Sequence, residues 1–219
     1  MTPSSQVWES PAIPGRFKYH QAIADYQSAL QIKVDLGSED QELGFIYNEL
    51  GYLEHDIANY GQAIAWFEKA LKIAEKVLGL EHPSTATSYN NLGAAWLAKG
   101  DYDQAIAWHE KALKIDEKVL GLEHPHTATS YHNLGGAWHA KGDYDQAIAW
   151  YEKALKIREK VLGLEHPSTA TSYNNLGAAW SDKGDYDQAI AWFEKALKIR
   201  EKVLGLEHPS TATSYNNLG

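Results

Sequence analysis

Apolar residues recur through most of this chain at the three- and four-residue spacing that places them on one face of an α-helix. In residues 102–120, one half of a helical wheel holds a mostly apolar set: Tyr102, Ala105, Ile106, Trp108, His109, Ala112, Leu113, Ile115, Val119 and Leu120. Charged residues dominate the other half. Because an apolar half-circle is wider than the seam of a coiled coil, the pattern predicts a helix that packs against more than one neighbour.

A shorter predicted helix precedes it, beginning at Pro83 and ending before Gly100. One side carries Tyr89, Leu92, Gly93 and Trp96, which we expect the longer helix to cover. The other side is uncharged: Thr87, Asn90, Asn91, Ala94, Leu97 and Ala98. Since a helix face that meets only solvent is usually rich in Glu, Lys and Arg, this side is the unusual feature of the pair.

The two helices form a unit that returns every 42 residues. Residues 101–142 and 143–184 differ at seven positions: His109/Tyr151, Asp116/Arg158, His126/Ser168, His132/Asn174, Gly136/Ala178, His139/Ser181 and Ala140/Asp182. A fixed period of this length predicts a stacked repeat array. We predict ten helices in residues 16–219: a half-repeat at 16–36, pairs at 40–78, 83–120, 125–162 and 167–204, and a terminal half-repeat at 209–219. Residues 1–15 contain three prolines and are predicted to be a flexible arm.

Cap signals mark the predicted ends of the helices. Asp101 and Gln104 have the spacing of a capping box, so the longer helix should begin there. Gly121 should adopt a left-handed conformation at its end, with Leu122 folded back on the last turn. Pro125 suits the first turn of the next helix.

Composition excludes several classes of function. A net charge of −9 and the absence of a basic cluster argue against a nucleic-acid partner. The lack of cysteine excludes thiolate metal sites and fits a reducing compartment, so we expect a cytoplasmic protein. No apolar run approaches the roughly 20 residues that cross a bilayer, and we expect no membrane contact. No nucleophile with a base at usable spacing and no phosphate-binding loop appears, so we predict neither an enzyme nor a cofactor site.

Histidine and tryptophan are the residues that most suggest ligands. His82, His124, His166 and His208 occupy one loop position in successive units, near 10 Å apart, so we favour a loop or N-cap role over metal binding. His132 and His139 are better explained by divergence of copied units than by a pH switch. The tryptophans lie on the packed sides of both helices, which favours a structural role over ligand stacking.

The unit resembles the tetratricopeptide repeat. The resemblance rests on Tyr89, Leu92, Gly93, Trp96, Gly100, Tyr102, Ala105, Ile106, Ala112 and Leu113, and it recurs over most of the chain. The period of 42 residues, the longer second helix that ends in KIDEKVLGLEHP and the NNL motif resemble the kinesin light chain type of repeat.

This resemblance implies an all-α, right-handed superhelical solenoid of antiparallel helix pairs, whose first helices line a concave groove that binds a protein partner as an extended peptide segment. An asparagine ladder would contact that peptide, at Asn91, Asn133, Asn175 and Asn217, with Glu49 at the matching place in the first pair. The candidate groove residues are Asn90, Asn91, Ala94, His132, Asn133, Asn174, Asn175, Ala178, Asn216 and Asn217. In the alternative interpretation the asparagines bond neighbouring helices, and the array is a spacer or a self-associating assembly with an empty groove.

Two further expectations concern a charged position on the apolar side of the longer helix and an apolar surface that no following helix covers. Asp116 and Arg158 fall in the middle of the apolar half-circle in successive units, so we expect them to form an ion pair on a partly hydrated turn. Residues 209–219 repeat the interior sequence without a following helix. A surface of this kind would accept further repeats of a longer parent chain or the matching surface of a second copy. We therefore expect self-association through the C-terminal end, or else fraying of the final helix.

Overall fold

The computed structural model describes residues 16–218 of the chain. Within that range the chain forms ten α-helices and no strand: α1 (Arg16–Asp35), α2 (Gln41–Asp56), α3 (Tyr60–Val77), α4 (Pro83–Lys99), α5 (Tyr102–Val119), α6 (Pro125–Lys141), α7 (Tyr144–Leu162), α8 (Pro167–Lys183), α9 (Tyr186–Leu204) and α10 (Pro209–Asn216). Each helix packs on the next, and the pairs α2/α3, α4/α5, α6/α7 and α8/α9 are the most intimate. The predicted all-helical solenoid of helix pairs is confirmed. The arm predicted at residues 1–15 lies outside the described residues.

Side chains cap the first turn of nearly every helix. Asp101 Oδ1 accepts the backbone N–H of Gln104 at 3.1 Å, and Asp143 and Asp185 do the same in their units. Before the first helices, His82 Nδ1 accepts the N–H of Ser84 at 3.1 Å. The same bond is made by His124, His166 and His208. The histidines of this loop position are therefore N-caps, as predicted, and each satisfies a backbone donor that the helix leaves free.

The ends of the second helices are closed by glycine but not by leucine. Gly121 has φ of 90° and its N–H donates to the carbonyl oxygen of Asp116, so the predicted left-handed glycine is confirmed. Leu122, however, is 62% exposed and does not pack on the last turn. The expectation that it folds back is wrong, because Gly121 satisfies the helix end without any side-chain contact.

Tryptophan and tyrosine join the helices in the core. The rings of Tyr89 in α4 and Trp108 in α5 stack with their centroids 5.7 Å apart, and Lys111 Nζ lies 3.7 Å from the Trp108 centroid. Equivalent stacks occur at Tyr47/Trp66, Tyr131/Trp150 and Tyr173/Trp192. Trp96, Trp138 and Trp180 pack against the buried clusters from the first helices. The predicted structural role of the tryptophans is confirmed.

Polar bonds set the spacing between successive units. Tyr89 Oη donates to Glu75 Oε1 at 2.8 Å across the junction of α3 and α4, and the bond recurs at Tyr131/Glu117, Tyr173/Glu159 and Tyr215/Glu201. Lys141 Nζ in α6 lies 2.7 Å from Asp103 Oδ1 in α5. Each junction therefore carries directional contacts besides its apolar core, and they hold each second helix against the first helix of the next unit.

Candidate functional site

A row of amide side chains connects the first helices of successive units. Four asparagines extend their side-chain amides toward the preceding unit, and the pairs are Asn91/Asn48 at 3.4 Å, Asn133/Asn90 at 3.4 Å, Asn175/His132 at 3.3 Å and Asn217/Asn174 at 2.9 Å. The four asparagines are those that the family resemblance points to. The row crosses α2, α4, α6, α8 and α10 in turn, and α4 and α6 also touch directly. We call it the asparagine row.

The bonds of the row have a direction. At Asn91, Asn133 and Asn217 the amide nitrogen donates to the preceding unit, and among residues 16–218 the Oδ1 atom of each accepts no hydrogen bond. Asn91 and Asn133 are partly buried and Asn217 is exposed. These three oxygens are thus free to accept a donor from outside the chain. The bonds to neighbouring helices, which the sequence left as an alternative, are present as well.

The first asparagine of each NN pair is engaged more fully. Asn90 Nδ2 donates to Ser130 Oγ at 3.1 Å, and Asn90 Oδ1 lies 2.8 Å from Nδ1 of the buried His109. Asn174 Oδ1 accepts from Arg200 Nη1 at 3.3 Å as well as from Asn217. Asn90 and Asn174 therefore hold the units together at the floor of the surface that the asparagine row crosses.

The remaining predicted site residues lie in the same register. Ala94 is exposed and Ala178 partly buried, and Asn216 is exposed at the last residue of α10. Thr87 is exposed in the first turns of α4, but its hydroxyl donates to the carbonyl oxygen of Pro83 at 3.3 Å. We call the surface formed by these positions and the asparagine row the groove face.

His132 stands where the other units have asparagine, and it reverses the direction of the hydrogen bond made at that point of the asparagine row. Burial, and then the charge of Arg158, lower the pKa of His132 to about 4, so the ring is neutral at neutral pH. Its Nδ1 lies 3.4 Å from Arg158 Nη1, which can only donate. Nε2 therefore carries the ring hydrogen, and the Asn175 amide must turn its oxygen toward it. At this unit the NH2 group of Asn175 is the group left for the groove.

The side chains at position 116 and at the equivalent positions of the other units correct one expectation from the sequence. Asp116 is 3% exposed, and its Oδ2 accepts from Ser130 Oγ at 2.6 Å. Arg158 Nη1 donates to Ser172 Oγ at 2.7 Å. The predicted ion pair between Asp116 and Arg158 on a hydrated turn is wrong, because each side chain turns to the serine of the first helix that follows its own.

At each of these equivalent positions the charged side chain bonds the same serine of the following first helix. Arg200 Nη1 donates to Ser214 Oγ at 2.6 Å. Desolvation raises the pKa of Asp116, opposed by the Ser130 bond and by the charges of His126 and His124. The floor beside the groove face therefore changes from a buried carboxyl group at Asp116 to partly buried guanidinium groups at Arg158 and Arg200.

A pocket that the sequence did not predict opens at the first helix pair. Ala74 holds position 116 in the first pair, and a pocket of about 380 Å³ lies beside it between α2, α3 and α4. Ile73, Val77 and the 55% exposed Phe45 contribute its apolar lining. The signal was in the repeat alignment, where Phe45 occurs in place of the small polar Thr87.

A second missed contact lies between α6 and α8. His139 Nε2 is 2.9 Å from Asp182 Oδ2, and no other unit has this pair. Both residues are among the seven mismatches between repeats.

In residues 16–218 no group of three or more histidine, aspartate or glutamate side chains has an arrangement that would hold a metal ion. None of the described helices combines the length and apolarity needed to span a bilayer.

Comparisons with known proteins agree with this architecture. One tetratricopeptide repeat family model matches residues 16–76, 42–118, 94–160 and 127–181, and a second matches residues 169–210. No curated protein sequence matches the chain.

Similar solved structures cover most of the array. BtubC (BKLC) from P. vanneervenii is 28% identical with a TM-score of 0.75, over 88% of this chain and 76% of that one. Kinesin light chain-like, nearly identical repeats from Podospora anserina are 31% identical with a TM-score of 0.70, over 78% of this chain and 81% of that one. The apo form of RapI, 19% identical with a TM-score of 0.74 over 91% of this chain and 53% of that one, shares the fold.

Proposed function

The chain belongs to the tetratricopeptide repeat family, with repeats of the kinesin light chain-like type, and we propose that it is a non-enzymatic scaffold whose groove face holds an extended peptide segment of a partner protein. The family supports a role in protein interaction in general. The groove and the extended form of the ligand are our proposal. A cysteine-free chain fits the reducing conditions of the cytoplasm, where we place it.

The observation that carries the proposal is the set of hydrogen-bonding groups on the asparagine row that the bonds between units do not use. Asn91, Asn133 and Asn217 each use the amide nitrogen on the preceding unit and offer an oxygen outward, whereas Asn175 offers its NH2 group. An extended peptide presents backbone N–H and C=O groups that need such partners. Bonds to the peptide backbone would hold a segment without reading its side chains.

The spacing of the row fits a peptide in extended form. Successive first helices in a packed array stand roughly 10 Å apart. An extended chain advances about 3.3 Å per residue, so roughly three peptide residues pass each unit. The three steps from Asn91 to Asn217 then match about nine residues. A bound helix would rise only about 1.5 Å per residue and would hide its own backbone groups, which makes it a poor partner for amides.

Selection from a random peptide display library tests the proposal, followed by fluorescence anisotropy with the recovered peptides. The variant Asn91→Ala, Asn133→Ala, Asn175→Ala should lose binding at least tenfold, which is about 1.4 kcal/mol. The matched control Lys72→Ala, Lys114→Ala, Lys156→Ala changes three exposed residues of the second helices, away from the groove face, and should bind normally.

The triple asparagine variant also breaks bonds between units, so a second variant separates binding from stability. Ala94→Arg adds a bulky side chain to the exposed groove face and removes no bond of the row. It should abolish peptide binding while the thermal midpoint stays unchanged. Enrichment of no sequence, or equal binding to wild type and Ala94→Arg, would contradict the proposal.

The alternative is a spacer with an empty groove. It is favoured by the bonds of the asparagine row themselves, because contacts such as Asn133 to Asn90 give each copy a structural role. For a spacer, the triple asparagine variant should lower stability without changing the recovery of any peptide or partner.

We also infer that the C-terminal end of the array accepts another helix. Ile190 in α9 is 44% exposed, whereas Ile148 at the same position in α7 is 6% exposed beneath the unit that follows it. Tyr186 in α9 and Tyr215 in α10 are exposed as well. Further repeats or the same surface of a second copy would cover these residues. If a second copy does, Ile190→Lys should lower the self-association measured by sedimentation.

A further inference from the structure

Exposed aliphatic residues recur at the loop that joins each helix pair to the next. The set comprises Val77, Leu80, Val119, Leu122, Val161, Leu164, Val203 and Leu206, which are 40% to 66% exposed. In each unit the valine belongs to the end of the second helix and the leucine follows the glycine that terminates it. We call this surface the loop edge. It is separate from the groove face and from the peptide binding proposed above.

The antiparallel pairing of the helices places all four loops on one edge of the solenoid. The turns within the pairs lie on the opposite edge, and their sequence is Lys-Gly-Asp-Tyr-Asp from Lys99, Lys141 and Lys183 onward. That edge is charged, with Lys183 Nζ 2.6 Å from Asp145 Oδ1. Exposed valine and leucine are therefore not a general property of the connections in this chain.

The fold makes no use of the leucine side chains. Gly121 satisfies the end of α5, and His124 caps α6, so neither helix depends on Leu122. At 62% exposure Leu122 contributes little to the core. A solvent-exposed loop position usually carries a polar residue, yet leucine stands here in all four loops.

Charges along the loop edge alternate in sign. Between successive aliphatic pairs, a lysine of one second helix bonds the glutamate of the preceding loop, at Lys118/Glu81, Lys160/Glu123 and Lys202/Glu165. Each ion pair is neutral as a unit. Two such edges therefore meet at neutral ion pairs and not at charges of a single sign.

We propose that the loop edge is an interface between two copies of this chain, with the two edges running antiparallel about a two-fold axis. The aliphatic pairs repeat at the spacing of the units, near 10 Å. A partner that covers all four pairs must carry apolar groups at the same spacing, which a second copy does. In this arrangement Leu122 of one copy faces Leu164 of the other, and Leu80 faces Leu206.

The area involved is that of a stable interface. Complete burial of a valine or leucine removes roughly 60 to 120 Å² of apolar surface, so eight half-exposed side chains supply on the order of 240 to 480 Å². A standard interface buries about 800 Å² per partner, of which somewhat more than half is non-polar, or roughly 450 Å². The aliphatic groups of the loop edge alone supply between about half of that value and all of it.

Sedimentation velocity over a wide range of protein concentration tests the proposal. The wild type should form dimers, and the variant Leu80→Glu, Leu122→Glu, Leu164→Glu, Leu206→Glu should sediment as a monomer with unchanged helical content. The matched control Gln62→Glu, Gln104→Glu, Gln146→Glu, Gln188→Glu adds the same four charges at exposed positions on the opposite edge. It should remain dimeric.

Because the chain contains no cysteine, cross-linking reports the arrangement directly. A mixture of the single variants Leu122→Cys and Leu164→Cys should form disulfide-linked dimers on oxidation, and either variant alone should not. A monomeric wild type at every concentration overturns the proposal. So does a dimer that survives the leucine variant, including one that only Ile190→Lys disrupts. Efficient linking of Leu122→Cys with itself, or assemblies larger than a dimer that persist in Ile190→Lys, overturns the two-fold arrangement.

Discussion

The imidazole ring of His109 lies directly against the backbone of Gly93, where α4 and α5 cross. A Cβ atom added to Gly93 would stand 2.5 Å from Cε1 of the ring, inside van der Waals contact. Tyr151 meets Gly135 in the same way, as do Phe67 and Phe193 in their units. Each helix pair is therefore closed by a ring on a glycine, and the identity of the ring varies from unit to unit.

Replacing Gly93 by alanine should destabilise the array by about 1 to 3 kcal/mol, because His109 is 1% exposed and has little room to move. Gly136→Ala is the matched control. Its added methyl group would meet only Tyr151 Oη, at 3.6 Å, and alanine already occupies the equivalent Ala94. The control should gain about 0.5 to 1 kcal/mol from helix propensity. Equal unfolding midpoints in urea for the two variants would contradict this account of the crossing.

The burial of His109 makes stability depend on pH. Burial lowers its pKa from 6.5 to about 4, so the unfolded chain binds a proton more readily than the folded one. Its contribution to stability is complete above pH 6.5 and is lost as the pH falls from there toward 4. The loss amounts to about 3 kcal/mol. His109→Phe, which copies Phe67 and Phe193, should remove that part of the pH dependence of the free energy of unfolding.

The control for His109 is Tyr151→Phe, which makes the same change to phenylalanine at the equivalent position of the next unit, where burial raises the pKa of the tyrosine to about 12. Its profile between pH 4 and 6.5 should follow the wild type. A His109→Phe profile as steep as that of the wild type would show that His109 is not the group that titrates.

Asp116 should be a source of instability at neutral pH. Its carboxylate is buried and accepts one hydrogen bond, from Ser130, and desolvation raises its pKa. Asp116→Asn keeps an acceptor for Ser130 and removes the buried charge. It should therefore raise the free energy of unfolding at pH 7 by roughly 1 kcal/mol, and the difference should shrink as the pH falls and the wild-type carboxyl group is protonated. A loss of stability at pH 7 would mean that the charge has a partner that favours it.

Residues close together in the sequence predicted the caps and the packed side of each helix. Contacts between units could not be predicted from them. The cap at Asp101 and the left-handed Gly121 depend on residues a few positions apart, so the sequence alone predicts them. Helical periodicity also places position 116 on the packed side. It does not say which neighbour a side chain there turns to, and the predicted pair of Asp116 with Arg158 failed for that reason.

The same limit applies to the candidate site. The NNL motif placed Asn91 and its equivalents on one surface, and the structure adds that their amide nitrogens bond the unit before. Leu122 illustrates the converse case, because the pattern of a helix end suggested burial that the fold does not require. Packing between units, which depends on distances that no single repeat contains, decides both.

Arg158 offers a direct test of how charge acts on the asparagine row. Its guanidinium lies 3.4 Å from His132 Nδ1 and is the second cause, after burial, that lowers the pKa of His132 to about 4. Arg158→Ala removes the positive charge and opens the position as in Ala74, so the pKa of His132 should rise. NMR titration of the His132 ring measures this. Arg200→Ala makes the same change one unit away and should leave His132 unaffected, whereas an unchanged pKa in Arg158→Ala would assign the whole shift to burial.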